Sequence, residues 1–315
     1  MNQHFKSFIL ELTGASALTV REVIQELWSG YGKIIRVELE KASIPSVVVK
    51  LVEIPATTKH PRGWNTEIGH ERKLKSYRVE TNWYRNYSKM SGARLPECLG
   101  IEEHNGSTLM VLEDLDAAGF PLRKKSLSWP QMKQCLKWLA KFHASYMGVQ
   151  PEGLWQLGTY WHLATRPQEW EALKDQKLKE AAPLIDAKLN GCSYQTLVHG
   201  DAKLANFCFS EEGDVAAVDF QYVGGGCGMK DLAYFVGSCL NENECARLES
   251  QILDGYFGFL QEALPERNEA LEEEWRSLYY LAWADFHRFM KGWSPGHWKI
   301  NSYSERVTRE AIASL

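Results

Sequence analysis

The sequence lacks the features that define several protein classes. Its seven cysteines are odd in number and scattered over positions 98, 135, 192, 208, 227, 239 and 245. None forms a CxxC pair, and no Cys/His group has zinc spacing. This excludes a disulfide scaffold and a zinc module, and the thiols read as small hydrophobes in a reducing compartment. No run approaches the roughly 18 consecutive apolar residues of a spanning helix. The short apolar run Phe8-Ile9-Leu10 is stopped by Glu11, with no small-residue cleavage site behind it. A cytoplasmic, soluble chain with no membrane partner is expected. Positive charge is not in excess either. A net charge of -4 and a pI near 6.2 argue against a nucleic-acid partner, which needs clustered Lys and Arg. There is no internal repeat and no low-complexity tract.

What is present is globular. Hydrophobic residues make up 44% and charged residues 24% of 315 positions, enough chain to bury a substantial core in two lobes. The first third reads as a short helix followed by strands. Two strands in VREVIQELWSGYGKIIRVELE meet at Ser29-Gly30-Tyr31-Gly32, where paired glycines permit a tight turn. A β-branched strand over 44–53 contains Lys50. A helix is predicted over 67–90, and strands 97–103 and 107–113 flank the hairpin signal Asn105-Gly106. Residues 114–128 carry Gly, Pro and a charge run, the signature of a connection. Beyond Pro130 the chain is mainly helical. Positions 132, 135, 136, 139, 142 and 146 form one apolar helical face, and further helices are predicted near 168–189, 229–240, 243–262 and 267–290. The expected fold class is α+β, with a β-rich lobe over 1–115 and a mainly helical lobe over 116–315.

One β interruption, 195–220, carries the chemistry. Strands near 206–210 and 214–218 meet at Glu211-Glu212-Gly213, which sets Asn206 almost opposite Asp219. Asp201 lies on the loop entering this hairpin. Two carboxylates and an amide oxygen converge, and oxygen donors of this kind suit Mg²⁺, which completes its shell with water and phosphate.

His199-Gly200-Asp201 with Lys203 and Asn206, followed by Asp219-Phe220-Gln221, resembles the catalytic and metal-binding segments of protein-kinase-like small-molecule kinases. Within that group the sequence is similar to the aminoglycoside phosphotransferase and choline kinase superfamily. The triplet at 219–221 and DLAYF at 231–235 most resemble the ecdysteroid-kinase-like, or CHK, branch. Motif order matches from about residue 20 to 290. The resemblance implies a bilobal kinase-like fold that uses ATP and Mg²⁺ to phosphorylate a hydroxyl of a small-molecule acceptor. Gly30 and Gly32 would lie in the nucleotide loop. Lys50 would contact phosphates, with Glu80 as its partner in an ExxxY setting. LMVLEDL (109–115) would be the hinge, where backbone near Glu113 to Leu115 receives adenine. Asn206 and Asp219 would hold the metal, Asp201 would orient the acceptor hydroxyl and take its proton, and Lys203 could neutralise the transferring group.

Other features read as structure. His199 is expected to bond the loop backbone, and Asp231 to cap or pin a loop. Gly224-Gly225-Gly226-Cys227-Gly228 lacks a Walker context and reads as a flexible segment. Tyr279, Tyr280, Trp283, Asp285, Trp293 and Trp298 could form a cage for a quaternary ammonium acceptor, although the spacing fits core packing at least as well. Residues 241–275 hold ten acids against Arg247 and Arg267, and 50–94 holds ten Lys/Arg against four Asp/Glu. Acidity beside the cleft would favour cationic acceptors, but solvated helix faces account for both runs. The competing readings are a nucleotide-binding pseudokinase without turnover, against which every catalytic position is present, and a metal-dependent phosphate hydrolase, which needs a richer His/Asp set.

Overall fold

The structure is a computed structural model that describes residues 1–27, 30–53 and 67–315. Ser29 of the expected turn, and Lys59 and Arg62 of the basic stretch, lie outside the described residues. The N-terminal region is an antiparallel sheet of β1 (Ala17–Glu26), β2 (Gly32–Glu40), β3 (Ser46–Glu53), β4 (Cys98–His104) and β5 (Ser107–Glu113), ordered β1-β2-β3-β5-β4. Two helices flank it. Helix α1 (Gln3–Thr13) is N-capped by the Asn2 side chain and ends at Gly14 in the left-handed region. It buries Phe5 and Ile9 against Val47, Val49 and Leu51 of β3 and Val37 of β2.

Strand alternation then decides where Lys50 points. With 47, 49 and 51 committed to the α1 face, residue 50 projects to the opposite face. That face is covered by α2 (Glu67–Asn86), whose Tyr77 packs with Val52 and whose Trp83 and Tyr84 enter the main core with Met110 and Leu112. The expected helix over 67–90 stops at Asn86, and a short 3₁₀ turn covers 88–90. Asn105 and Gly106 both take positive φ, 49° and 76°, between the paired His104 and Ser107. This is the twist that an Asn-Gly hairpin supplies.

The rest is helical, apart from two small ribbons. The helices are α3 (Trp129–Ser145), α4 (Pro167–Glu171), α5 (Gln176–Asn190), α6 (Met229–Cys239), α7 (Glu242–Ala263), α8 (Glu269–Trp293) and α9 (Ser302–Ala313). Helix α3 packs along α7, and α8 packs against α4, α5, α6 and α9. The six apolar positions expected on α3 are all buried. The single helix expected near 168–189 is two, because Asp175 caps a new start by accepting from Leu178 N. Helix α9 was not foreseen. Its signals are an Asn301–Ser304 capping box and Tyr303, Val307 and Ala311 at four-residue spacing, all buried.

The ribbons are β6 (Thr196–Val198) with β9 (Gly224–Gly226), and β7 (Phe207–Phe209) with β8 (Val215–Ala217). The glycine run at 224–226 is therefore a paired strand, which corrects the reading as a flexible segment. A Cβ at Gly224 would lie 2.1 Å from the Trp155 carbonyl oxygen, so glycine is needed for close backbone approach. The fold is mixed α and β, an antiparallel N-terminal sheet followed by a helical C-terminal region, as expected.

Candidate active site

The β7–β8 register pairs Phe207 with Ala217, and Val218 N donates to Asn206 O at 3.0 Å. Asn206 thus faces Val218, one residue short of Asp219. The offset is a single position, and Asp219 follows directly at the ribbon end with φ +72°. A left-handed conformation is strained for a residue with a β-carbon.

The loop carrying Asp201 is held from below. Asp231, in the first turn of α6, accepts from His199 N at 2.6 Å and Gly200 N at 2.9 Å, and lies 3.1 Å from His143 Nε2. Gly200 has φ +77°, and a Cβ there would meet the Tyr222 carbonyl oxygen at 2.1 Å. His199 Nδ1 accepts from Asp201 N at 3.2 Å, so its Nε2–H donates to Val218 O at 3.1 Å. Both ring nitrogens are used, and this neutral tautomer has none left for proton transfer.

Asp201 itself is buried at 5% exposure and its carboxylate meets donors on both oxygens. Oδ2 receives Lys203 Nζ at 2.9 Å and Asn206 Nδ2 at 3.1 Å, while Oδ1 receives Tyr234 OH at 3.1 Å. Asn206 Nδ2 also donates to Asp201 O at 2.8 Å. Burial works most strongly against the Lys203 ammonium, but the Asp201 charge and hydrogen bond together with Asp219 outweigh it and raise the pKa. Tyr234 is pushed well above the ordinary tyrosine range, by burial first and the Asp201 charge second. It stays a phenol and a donor. Sequence reasoning did not assign Tyr234. The available signal was its place three residues after Asp231, one helical turn along the face that meets the same loop.

Lys50 Nζ lies 2.6 Å from Glu80 Oε2 and 3.4 Å from Asp219 Oδ1. Burial alone would lower the lysine, and the two carboxylates outweigh it and raise its pKa. Asp219 shows the reverse balance. Burial would raise its carboxyl, but Lys50, Lys203 and Lys73 hold it below the usual range. Gln221 was named in the motif without a role. Its Nε2 donates to Asp219 Oδ1 at 2.8 Å, and its Oε1 accepts from Lys73 Nζ at 2.9 Å and Ser76 Oγ at 3.2 Å. Residues 73, 76 and 80 share one face of α2, so that helix reaches Asp219 by two routes.

The remaining expected residues sit apart from this cluster. Gly32 has φ +121°, and a Cβ would lie 2.0 Å from the Leu51 carbonyl oxygen, whereas Gly30 (φ +76°) meets nothing. Packing on β3 is enough to require glycine at 32. The Glu113 side chain forms a two-pronged pair with Arg94 at 2.8 and 2.6 Å and accepts from Glu97 N. Its amide is used by Glu97 O. Burial would raise its pKa, but the Arg94 hydrogen bonds and charge and the Glu97 amide together outweigh it and lower the pKa. Leu115 packs on Cys208 and Ala216 of the β7–β8 ribbon.

Three of the ten acids of 241–275 are committed to other parts of the fold. Glu249 accepts from Tyr280 and Tyr303, Asp254 pairs with Arg276, and Glu274 receives Ser193 N and Tyr194 N. Tyr279 and Trp283 are core residues, and Trp298 is 59% exposed. Asp285 is engaged by Arg288 at 2.7 Å and Trp161 Nε1 at 2.9 Å.

Comparison with known proteins decides the family. The model of the ecdysteroid kinase-like family matches residues 74–154 and 156–269, more than half of the chain. The chain belongs to the ecdysteroid kinase-like family. No curated protein sequence matches it. Among solved structures, it is similar to the microcompartment-associated aminopropanol kinase, at 15% identity over 99% of this chain and 94% of that one, with a TM-score of 0.51. A thermostable mutant of an aminoglycoside phosphotransferase aligns at 13% identity over 98% of each chain, TM-score 0.53. Amicoumacin kinase, solved in complex with AMP-PNP, Ca²⁺ and Ami, aligns at 13% identity over 100% of this chain and 93% of that one, TM-score 0.51. At these identities the solved structures establish the kinase-like fold of this family member and no more. Among the described residues no helix is long and apolar enough to cross a membrane.

Proposed function

We propose that this chain is an ATP- and Mg²⁺-dependent phosphotransferase acting on a hydroxyl of a small molecule, with residues 1–115 as the nucleotide lobe and 116–315 as the catalytic and acceptor lobe. One observation carries the reading. Lys50 from β3 reaches both Glu80 of α2 and Asp219 at the end of the β7–β8 ribbon, so three segments distant in sequence meet at one buried ammonium. A lysine placed this way is suited to nucleotide phosphates, and phosphoryl transfer depends mainly on positioning and charge neutralisation.

The oxygen donors fit a magnesium nucleotide. Asn206 uses its Nδ2 on Asp201, and Asp219 uses Oδ1 for Lys50 and Gln221. The Asn206 Oδ1 and Asp219 Oδ2 atoms have no hydrogen bond among the described residues. Two hard oxygen ligands are what Mg²⁺ takes when phosphates and water complete its shell. The metal would neutralise charge between the phosphates. Asp201, fixed by Tyr234, Lys203 and Asn206, would accept a hydrogen bond from the acceptor hydroxyl. As the new O–P bond forms and the bond to ADP breaks, the hydroxyl proton passes to an Asp201 oxygen and then to water. Backbone near Glu113 to Leu115 remains the proposed adenine site, with Gly30 and Gly32 in the loop above the phosphates. Free thiols at all seven cysteines support a reducing, cytoplasmic setting within the same reading.

The test is thermal stabilisation by ATP with and without Mg²⁺, followed by ADP release over an acceptor panel. Magnesium-dependent stabilisation with acceptor-dependent ADP release is the expected result. Stabilisation without turnover on any acceptor would favour a binding module instead.

A further inference from the structure

Lys299 stands beside the proposed catalytic carboxylate in an unusual environment. Its Nζ lies 4.8 Å from the ring centre of Tyr234, 5.3 Å from Phe286 and 5.7 Å from Trp298. Tyr234 is the residue whose hydroxyl holds Asp201 Oδ1, so the aromatic box and the carboxylate share a wall. No carboxylate pairs with this ammonium among the described residues. Asp201 is committed to Lys203, and Asp285 and Glu169 pair with Arg288 and Arg166. The segment is ordered by Lys299 N on His297 Nδ1 and by Ser304 Oγ on Lys299 O.

An aromatic box next to a phosphate acceptor site would ordinarily suggest a cationic ligand. Here the chain's own ammonium fills it. Ring faces repay only part of the hydration that a buried ammonium gives up. Burial accordingly lowers the Lys299 pKa to about 8, with Lys203 adding to the depression and Asp201 opposing it. The wall continues through Tyr160, which packs on Tyr234 and Phe289, and beyond it Arg166 lies over the Tyr160 and Phe289 rings. Arg166 is paired with Glu169, whereas Lys299 has no carboxylate partner among the described residues.

We propose that Lys299 is an acceptor-binding residue and that the acceptor is a hydroxylated carboxylate. Its carboxylate would lie on the Lys299 ammonium, its apolar body against the exposed Trp298 ring, and its hydroxyl toward Asp201. This rests on the kinase reading above and narrows it to a substrate class. It also opposes the cationic acceptors suggested by the acidic run and the aromatic cluster.

The test uses matched acceptors at saturating Mg·ATP: ω-hydroxy acids of four to ten carbons with 4-(hydroxymethyl)benzoate, their primary amides, and the corresponding trimethylammonium alcohols. ADP release is the first readout, and thermal stabilisation of the Mg·ADP complex by each acceptor is the second. The carboxylate is expected to exceed its amide at least tenfold in kcat/KM at the best length. Lys299→Met should erase that preference through KM, and Lys299→Arg should restore part of it. Equal or better use of the amide or ammonium series overturns the charge assignment and leaves the kinase reading intact. If Mg·ATP does not stabilise the native chain, the kinase reading itself fails. If Mg·ATP binds but nothing turns over, carboxylate-specific stabilisation that Lys299→Met removes supports the proposal, and its absence overturns it.

Discussion

Gln221 Nε2 donates to Asp219 Oδ1 at 2.8 Å while the same amide's oxygen receives Lys73 and Ser76 from α2. A carboxylate in a left-handed backbone conformation needs such support to keep one orientation. The amide does what neither a glycine nor a carboxylate could do, because of these three only the amide side chain donates to one partner and accepts from another. On the proposed reading Gln221 is a positioning residue for the metal-holding aspartate. Gln221→Ala should raise the Mg²⁺ concentration needed for half-maximal rate about tenfold, with a smaller change in kcat at saturating Mg²⁺. Magnesium titrations of both proteins check this, and Gln221→Glu should be worse, because it sets a second carboxylate beside Asp219.

Lys50 and Asp201 are expected to fail in different ways. Lys50→Met leaves Glu80, 1% exposed, as a buried charge without its partner. That should cost about 3–5 kcal/mol of stability along with activity. Asp201→Asn keeps an acceptor oxygen, so the fold should survive. Its kcat should fall by about 10²–10⁴, with nucleotide binding retained. Denaturant melts paired with ATP binding separate the two outcomes, and full turnover in Asp201→Asn would remove the base assignment.

Much of this arrangement was legible in the sequence, for identifiable reasons. Lys50 could be assigned from the motif order of the family resemblance, and strand alternation in β3 then explains why it faces α2. The ribbon could be placed because Glu211-Glu212-Gly213 sets the pairing, although equal counting from the turn put Asn206 opposite Asp219 when it faces Val218. The glycine strand at 224–226 was misread because glycine marks both loops and close backbone approach. Only the Trp155 backbone, about seventy positions earlier in the sequence, distinguishes the two. Lys299 carries no local signal. Its meaning comes from Tyr234 and Phe286, which α6 and α8 bring beside it.

His287 makes stability depend on pH. Its pKa is lowered to about 4, by burial first and with Lys291 adding to the depression, while Glu305 opposes both. The groups facing it are Glu305 of α9, Lys291 of α8 and Asp175 at the start of α5. Below pH 6.5 the unfolded chain takes up a proton that the folded chain refuses. Stability should therefore be full above that pH and be lost between 6.5 and 4, by about 2–3 kcal/mol from this residue. Glu305 and Asp175 are held below the ordinary carboxylate range. Burial opposes this, and their contacts with Lys291 and His287, joined at Asp175 by the Leu178 amide, together outweigh it. Their loss in acid adds to the same trend. Denaturant melts at pH 7 and pH 5 should show a smaller difference in His287→Gln than in the native chain, and an equal difference would exclude His287 as the cause.

Two tryptophans from the same C-terminal cluster should separate core from surface. Trp283 is 4% exposed, packs edge-on to Tyr303 at 5.1 Å, and leaves a Cβ at Gly237 only 3.0 Å from its ring. Trp283→Ala opens a cavity between α6, α8 and α9 and should cost about 3–5 kcal/mol. Trp298, at 59% exposure, has little to lose on folding, and Trp298→Ala should stay within about 0.5 kcal/mol of the native chain. Its ring lies over Lys299, so the same change should instead weaken acceptor binding. Melts and acceptor KM values on the two variants give opposite orderings if Trp283 belongs to the core and Trp298 to the acceptor wall. A Trp298→Ala variant that lost stability but kept its acceptor KM would reassign that ring to the fold.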